Sequence, residues 1–232
     1  MAEASTIANF YRVKKIDFAL DKDRHRIRLG GRAFGAVFAG TAILEKIGKP
    51  GRFYRRKVAI KEFRKPLPDS RAGQYSRVIQ ALLEHGSGLP LTLMHKHEGR
   101  WVQVQSLFGS EERGSSLLQS VDETCSWNSK KRLMIESVKA ANAGFLPHFD
   151  FVAPFVNSGR GAIPLDLDKL LNNREPEPEE RAYVLFHQAN SLRRSKSEES
   201  RLLKVALKYA SDEIRPHLEN RLKDINAGIR LQ

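Results

Sequence analysis

Apolar and polar positions alternate over short stretches in the first half of the chain and recur at helical spacing further on. That order predicts strands followed by helices. Residues 1–20 read as a leader, one helical turn and then an extended piece from Tyr11 to Leu20, and Asp21-Lys22-Asp23-Arg24 reads as a polar turn. Alternation from Ala36 to Leu44 and from Phe53 to Phe63 predicts two strands, with Lys49-Pro50-Gly51 as the turn between them. Pro66, Pro68 and Asp69-Ser70 then break the sheet. From Arg71 to His85 the residues Tyr75, Val78, Ile79, Leu82 and Leu83 repeat at helical spacing, and Gly86 is a suitable stop. Leu89 to Lys96 and Trp101 to Phe108 predict a second strand pair around His97-Glu98-Gly99-Arg100, for a sheet of about five strands. Ser129 to Ala143 predicts a helix with Leu133, Met134, Val138 and Ala141 inward. After a polar, proline-broken linker from Asn172 to Glu180, helices are predicted over Glu179 to Arg193, Glu198 to Ala210 and Asp212 to Ala227. Pro216 delays the start of the last, whose stripe is Ile214, Leu218, Leu222 and Ile225. The whole is an α+β pattern, an antiparallel sheet with one helix followed by a mainly helical part.

Composition narrows the class. The chain has 232 residues, 41% hydrophobic and 29% charged, enough to bury a core and typical of a globular protein. No apolar run approaches the ~20 residues that a membrane-spanning helix needs. Met1-Ala2-Glu3-Ala4-Ser5-Thr6 lacks the basic start and apolar core of a secretory signal. The single cysteine, Cys125, forbids an internal disulfide. A reducing compartment is therefore expected, the cytoplasm of the producer or of a host cell if the protein is delivered. The formal charge of +13 favours polyanionic partners without choosing among them. Cations read as spread through the chain, with knots at Arg55-Arg56-Lys57, Lys130-Lys131-Arg132 and Arg193-Arg194-Ser195-Lys196. None of these knots interleaves aromatic residues as a stacking surface for single strands would, so any nucleic-acid binding is expected to be weak and non-specific.

Candidate chemistry concentrates between Leu29 and Phe63. Gly30, Gly31 and Gly35 let backbone approach a polyanion without a Cβ in the way. Val58-Ala59-Ile60-Lys61 is a short apolar strand ending in a cation. Together they resemble the glycine-rich loop and strand-three lysine of protein kinases. The loop pattern is met at Gly30, Gly35 and Val37, with Phe34 at the tip, while Arg32 stands where the middle glycine belongs and Gly31 lies one position earlier. The resemblance implies that Gly30, Gly31, Phe34, Gly35, Val37 and Ala59 cover the nucleotide and that Lys61 grips its phosphates. Helix C of the family would be Arg71 to His85. Its lysine-pairing glutamate has only Glu84 as a candidate, opposite the apolar stripe, while Gln80 is nearer the family's spacing but uncharged.

Leu146-Pro147-His148-Phe149-Asp150 and the stretch from Val156 to Asp168 resemble the second half of the kinase site. His148-Phe149-Asp150 would be the catalytic loop and Asn157-Ser158-Gly159-Arg160-Gly161 a turn between two short strands. Asp166-Leu167-Asp168 would replace the metal-binding triplet. Phe155 stands where the family has a metal-binding asparagine, and nothing resembles an Ala-Pro-Glu segment. The resemblance implies an abbreviated kinase-like fold, with residues 27–108 as the sheet lobe, 109–232 as a reduced helical lobe, and 1–26 as a leader. It implies ATP and Mg2+ as cofactors, Lys61 and Asp150 as catalytic residues, and Asp166 and Asp168 as metal ligands. The acceptor would be a serine or threonine hydroxyl of a protein. Two other readings stay open, a pseudokinase that serves as an interaction module and a basic nucleic-acid-binding protein.

Overall fold

Alternating β-branched and aromatic residues build an antiparallel sheet in a computed structural model of the protein, which describes residues 11–30, 35–106, 126–147, 152–154, 162–164, 167–171, 174–193 and 195–227. The strands are β1 (Tyr11–Phe18), β2 (Arg28–Gly30), β3 (Gly35–Lys46), β4 (Phe53–Phe63), β5 (Thr92–His97) and β6 (Arg100–Ser106), with helix α1 (Asp69–Glu84) between β4 and β5. The sheet runs in the order β1-β3-β4-β6-β5, and β2 takes over from β1 on the same edge of β3. By tertiary contact the chain divides into two compact units, Met1–Leu83 with Leu89–Ser115, and Glu84–Gly88 with Ser116–Gln232.

Register decides which side of the first unit is core. Phe38 pairs with Ile60 and Gly40 with Val58, while Ile60 also pairs with Val104. Their side chains therefore share one face. On it Ile16, Ala42, Leu44, Val58, Ile60, Leu93, Val102 and Val104 form a buried cluster, each large aliphatic contributing roughly 1.5–3 kcal/mol. The sheet curls, because Phe18 of β1 meets His97 of β5 at a ring-centroid distance of 5.7 Å. Tyr11 to Phe18, the extended part of the expected leader, is thus paired sheet, with a bulge between Val13 and Lys15.

Helix α1 buries Tyr75, Val78, Ile79 and Leu82 of the predicted stripe, with Ala72 in addition and Leu83 only half-buried. Tyr75 packs on Phe63 at 5.3 Å between centroids. At the helix start the Trp101 indole N–H donates to Asp69 at 2.7 Å. That bond, followed by the Lys96 ammonium, holds the Asp69 carboxyl below its ordinary range.

The second unit is helical, with α2 (Trp127–Asn142), α3 (Pro178–Leu192), α4 (Lys196–Tyr209) and α5 (Arg215–Asn226), plus the short strands β7 (Val152–Pro154) and β8 (Ala162–Pro164). Ser126 and Ser195 cap α2 and α4 by accepting from the Ser129 and Glu198 N–H groups. Its core mixes Leu133, Met134, Leu185, Leu202 and Leu218 with buried charges. Lys130 meets Glu198 at 3.0 Å, Arg181 donates to the Ala141 carbonyl and to Glu213, and Glu199 takes both Arg193 and Arg221. Pairing is what makes such burial tolerable.

Candidate functional site

The antiparallel register of β3 and β4 assembles the described part of the glycine and lysine site. Gly35 lies opposite Phe63, Val37 opposite Lys61, and Ala39 opposite Ala59. Side chains alternate across a strand, so Val37, Ala39, Ala59 and Lys61 share the face opposite the aliphatic cluster. Three small or β-branched residues leave a low apolar shelf beside one cation. Lys61 is half-buried, and its Nζ stands 5.7 Å from the centroid of the Phe63 ring. The neighbouring carboxylate, Glu62, projects from the other face and accepts from Arg26 at 2.6 Å.

Gly35 has a structural reason to be glycine. A Cβ there would lie 2.1 Å from the Glu62 carbonyl oxygen, so the two strands close only without a side chain at 35. Gly30 closes β2 and pairs with Val37. Gly31 and Phe34 lie outside the described residues.

Across β4 the same row continues to Gln103 of β6, which pairs directly with Lys61. Gln103 is 3% exposed and its Oε1 has no hydrogen-bond partner among the described residues. Its neighbour Gln105 is satisfied by donating to Thr92 at 3.0 Å. A buried amide oxygen without a donor costs about 1–3 kcal/mol. This unanswered acceptor stands in the same row as half-buried Lys61.

Helix α1 offers two acids, Asp69 at its start and Glu84 at its end. Asp69 is engaged by Trp101 and Lys96. Glu84 is exposed, whereas Gln80 is half-buried and lines a cleft of about 370 Å³ with Ile79, Val13, Leu93 and His95. Burial there, and then the charge of His97, lowers the His95 pKa, favouring the neutral ring. Lys61 is not among the residues lining that cleft.

In the second unit β7 and β8 pair antiparallel, Val152 with Pro164 and Pro154 with Ala162. These are the two short strands on either side of the predicted turn. Asp150 and Asp166 each stand two positions beyond the Val152 and Pro164 end in sequence. Both lie outside the described residues, as do His148, Phe155, Asn157 and Cys125. Asp168 is the second residue of a single 3-10 turn over Leu167–Leu170. Leu167 and Leu170 are fully buried and fix the turn, leaving Asp168 half-buried between them.

Two features lie outside the sequence expectations, and the second could have been counted from the sequence. The orphaned acceptor of Gln103 has no signal in composition. The other is the distribution of charge: residues 11–65 hold 17 lysines and arginines against five acidic residues, a net +12 out of +13. Cations are spread along the chain, as expected, but the unbalanced ones are not. Among the described residues one group of three potential metal ligands occurs, the exposed Asp21, Asp23 and His25. There Asp21 Oδ1 accepts from the N–H groups of Asp23 and His25, both at 2.9 Å, which is turn chemistry. No protein-family model and no curated protein matches this chain.

Proposed function

We propose that the protein is an ATP-dependent phosphotransferase, a minimal kinase acting on serine or threonine hydroxyls of a protein. The observation that carries the reading is the β3–β4 register, which sets Lys61 directly across from Val37, two residues past Gly35, on a shelf of small residues. Gln103 beside it supplies the unsatisfied acceptor that a bound polar group would answer. The succession of glycine segment, strand, lysine strand, helix and strand pair is the one the resemblance requires.

Phosphoryl transfer asks a protein mainly for positioning and charge neutralisation. In this reading the Lys61 ammonium holds the α- and β-phosphates, and the backbone of Gly30, Gly31 and Gly35 lies against them. Phe34, Val37 and Ala59 give the base an apolar cover. Asp166 and Asp168 are the carboxylates suited to a hard divalent cation. Magnesium, when bound, offsets charge developing on the phosphoryl oxygens. Asp150 accepts the proton of the acceptor hydroxyl or orients it.

The test is transfer from radiolabelled ATP to the protein itself, to a cell lysate and to small hydroxyl acceptors. Lys61→Ala and Asp166→Ala are each expected to lower transfer by roughly a hundredfold or more while melting stays near wild type. Near wild-type transfer in both variants would discard the assignment.

One observation favours a second reading, an interaction module that binds nucleotide without transferring phosphate. Asp69, at the start of α1, is engaged by Trp101 and Lys96, and Gln80, nearer the family's spacing for the helix glutamate, carries no charge. A magnesium-ATP-induced rise in melting temperature with no transfer to any acceptor would select it.

A further inference from the structure

The charge imbalance of residues 11–65 has a focus at the β3–β4 turn. The Lys46 N–H donates to the Arg52 carbonyl at 3.2 Å and closes the turn, within which Gly48 and Gly51 take positive φ of 77° and 82°. Immediately beside the closing pair, Ile47 is 49% exposed and Phe53 55% exposed. Lys49 and Arg52 are exposed between them, and Arg55, Arg56 and Lys57 are exposed along the strand that leaves the turn. The one acid of the region, Glu45, is buried and consumed by Arg12, Lys14 and the Gly51 N–H. The tip therefore presents two large apolar side chains set among cations, with no exposed carboxylate from Lys46 to Val58.

Charges on a strand edge often serve only to prevent edge-to-edge pairing, and Arg55 to Lys57 lie where β4 runs past the end of β6. That role does not require the excess of one sign, and it is opposed by exposing Ile47 and Phe53. A nucleic-acid backbone would use the cations and leave the isoleucine without purpose. An anionic bilayer surface uses both, cations at the headgroups and apolar side chains at the acyl boundary.

We propose that the β3–β4 hairpin tip docks the protein peripherally on an anionic lipid surface, with Ile47 and Phe53 entering the interface and Lys49, Arg52 and Arg55 at the headgroups. No described helix is long and apolar enough to cross a membrane, so the contact is interfacial. It is independent of whether Lys61 serves a nucleotide.

The experiment is co-sedimentation of the full chain with phosphatidylcholine vesicles, with and without about a third phosphatidylserine, near 0.1 M salt where screening is moderate. The expected result is partitioning onto phosphatidylserine vesicles at least about tenfold stronger than onto neutral ones. Lys49→Glu with Arg52→Glu is expected to weaken it by roughly tenfold or more, and Ile47→Ser with Phe53→Ser by about fivefold or more. All four side chains lie at the surface, so melting temperatures are expected to stay near wild type and are measured alongside. Phe53→Trp keeps the aromatic bulk, and its added emission over wild type is expected to be quenched by brominated acyl chains. Three results would overturn the proposal: no preference for phosphatidylserine, partitioning indifferent to the Ile47 and Phe53 changes, or a duplex oligonucleotide bound more tightly than the vesicles at the same salt by wild type and by the Ile47→Ser with Phe53→Ser variant alike. The last would identify a nucleic-acid surface instead.

Discussion

At Gly35 two explanations meet on one residue. A phosphate-covering loop wants glycine there, and so does the Glu62 carbonyl 2.1 Å from the position of a Cβ. Loss of transfer in Gly35→Ala would therefore report strand closure before it reported nucleotide contact. Lys61 is the cleaner probe because its half-buried ammonium is not built into the aliphatic cluster. Glu45 shows what pairing does at the same scale. The Arg12 guanidinium, helped by the Gly51 N–H and Lys14, holds its carboxyl at about 2 against an ordinary 4.5. A depressed carboxylate stabilises the fold fully above its unfolded pKa and loses that contribution as pH falls through the folded one. The melting-temperature gap between wild type and Glu45→Gln is thus expected to be constant at neutral pH, to shrink from about 4.5 downward and to close near 2. A gap that ignores pH across that window would show that Glu45 acts through shape alone.

Elements were legible where one periodicity ran uninterrupted. The predicted strand over Phe53 to Phe63 and the helix over Arg71 to His85 match β4 and α1 closely. Pro216 does delay the last helix, which starts at Arg215. β1 was hidden because its bulge moves the inward set from Tyr11 and Val13 to Ile16 and Phe18, so no single alternation covers it. Of the candidate site, the two strands that carry Val37 and Lys61 were legible, and their register, set by the hydrophobic pattern, places the two residues opposite each other. Gln103 was not legible, since only the neighbours of an amide tell whether it is satisfied.

Nor was the role of Glu136, which interrupts the apolar stripe of α2. It is fully buried, accepts from Ser87 and the Gly88 N–H at 2.7 Å each, and pairs with Arg132 and Lys139. A Cβ at Gly88 would lie 2.3 Å from the Arg132 guanidinium, so a side chain there would displace the arginine from its place beside Glu136. One carboxylate thus fastens the segment after α1 to α2. Glu136→Ala is expected to destabilise by about 3–5 kcal/mol in chemical denaturation, since it strands buried donors. Glu136→Gln, which keeps an acceptor, should cost less. Equal losses in the two variants would mean that the charge, and not the acceptor geometry, fastens the segment.

For the whole molecule the decisive quantity is where the charge lies. Because residues 11–65 carry a net +12, any polyanion will be attracted to that part of the chain first, whether or not it is the physiological ligand. Weak polyanion adhesion must therefore be separated from a shaped site by its dependence on salt, metal and single residues. Counterion release makes adhesion fall steeply with salt, whereas a nucleotide held by Lys61 and a metal depends less on salt and more on magnesium. The two proposed surfaces stand on different ends of β4, Lys61 near its close and Phe53 at its start. Their functions should then dissociate in both directions. Lys49→Glu with Arg52→Glu is expected to leave the magnesium-ATP melting shift intact and to weaken vesicle binding. Lys61→Ala is expected to remove the nucleotide shift and to leave vesicle binding within about twofold, because one half-buried cation contributes little at a distant interface. Both are read on the same preparations at low and physiological salt, with a short duplex as the competing polyanion. Nucleotide shifts lost with the hairpin cations, or vesicle binding lost with Lys61, would collapse the two sites into one diffuse basic face and leave charge alone as the explanation.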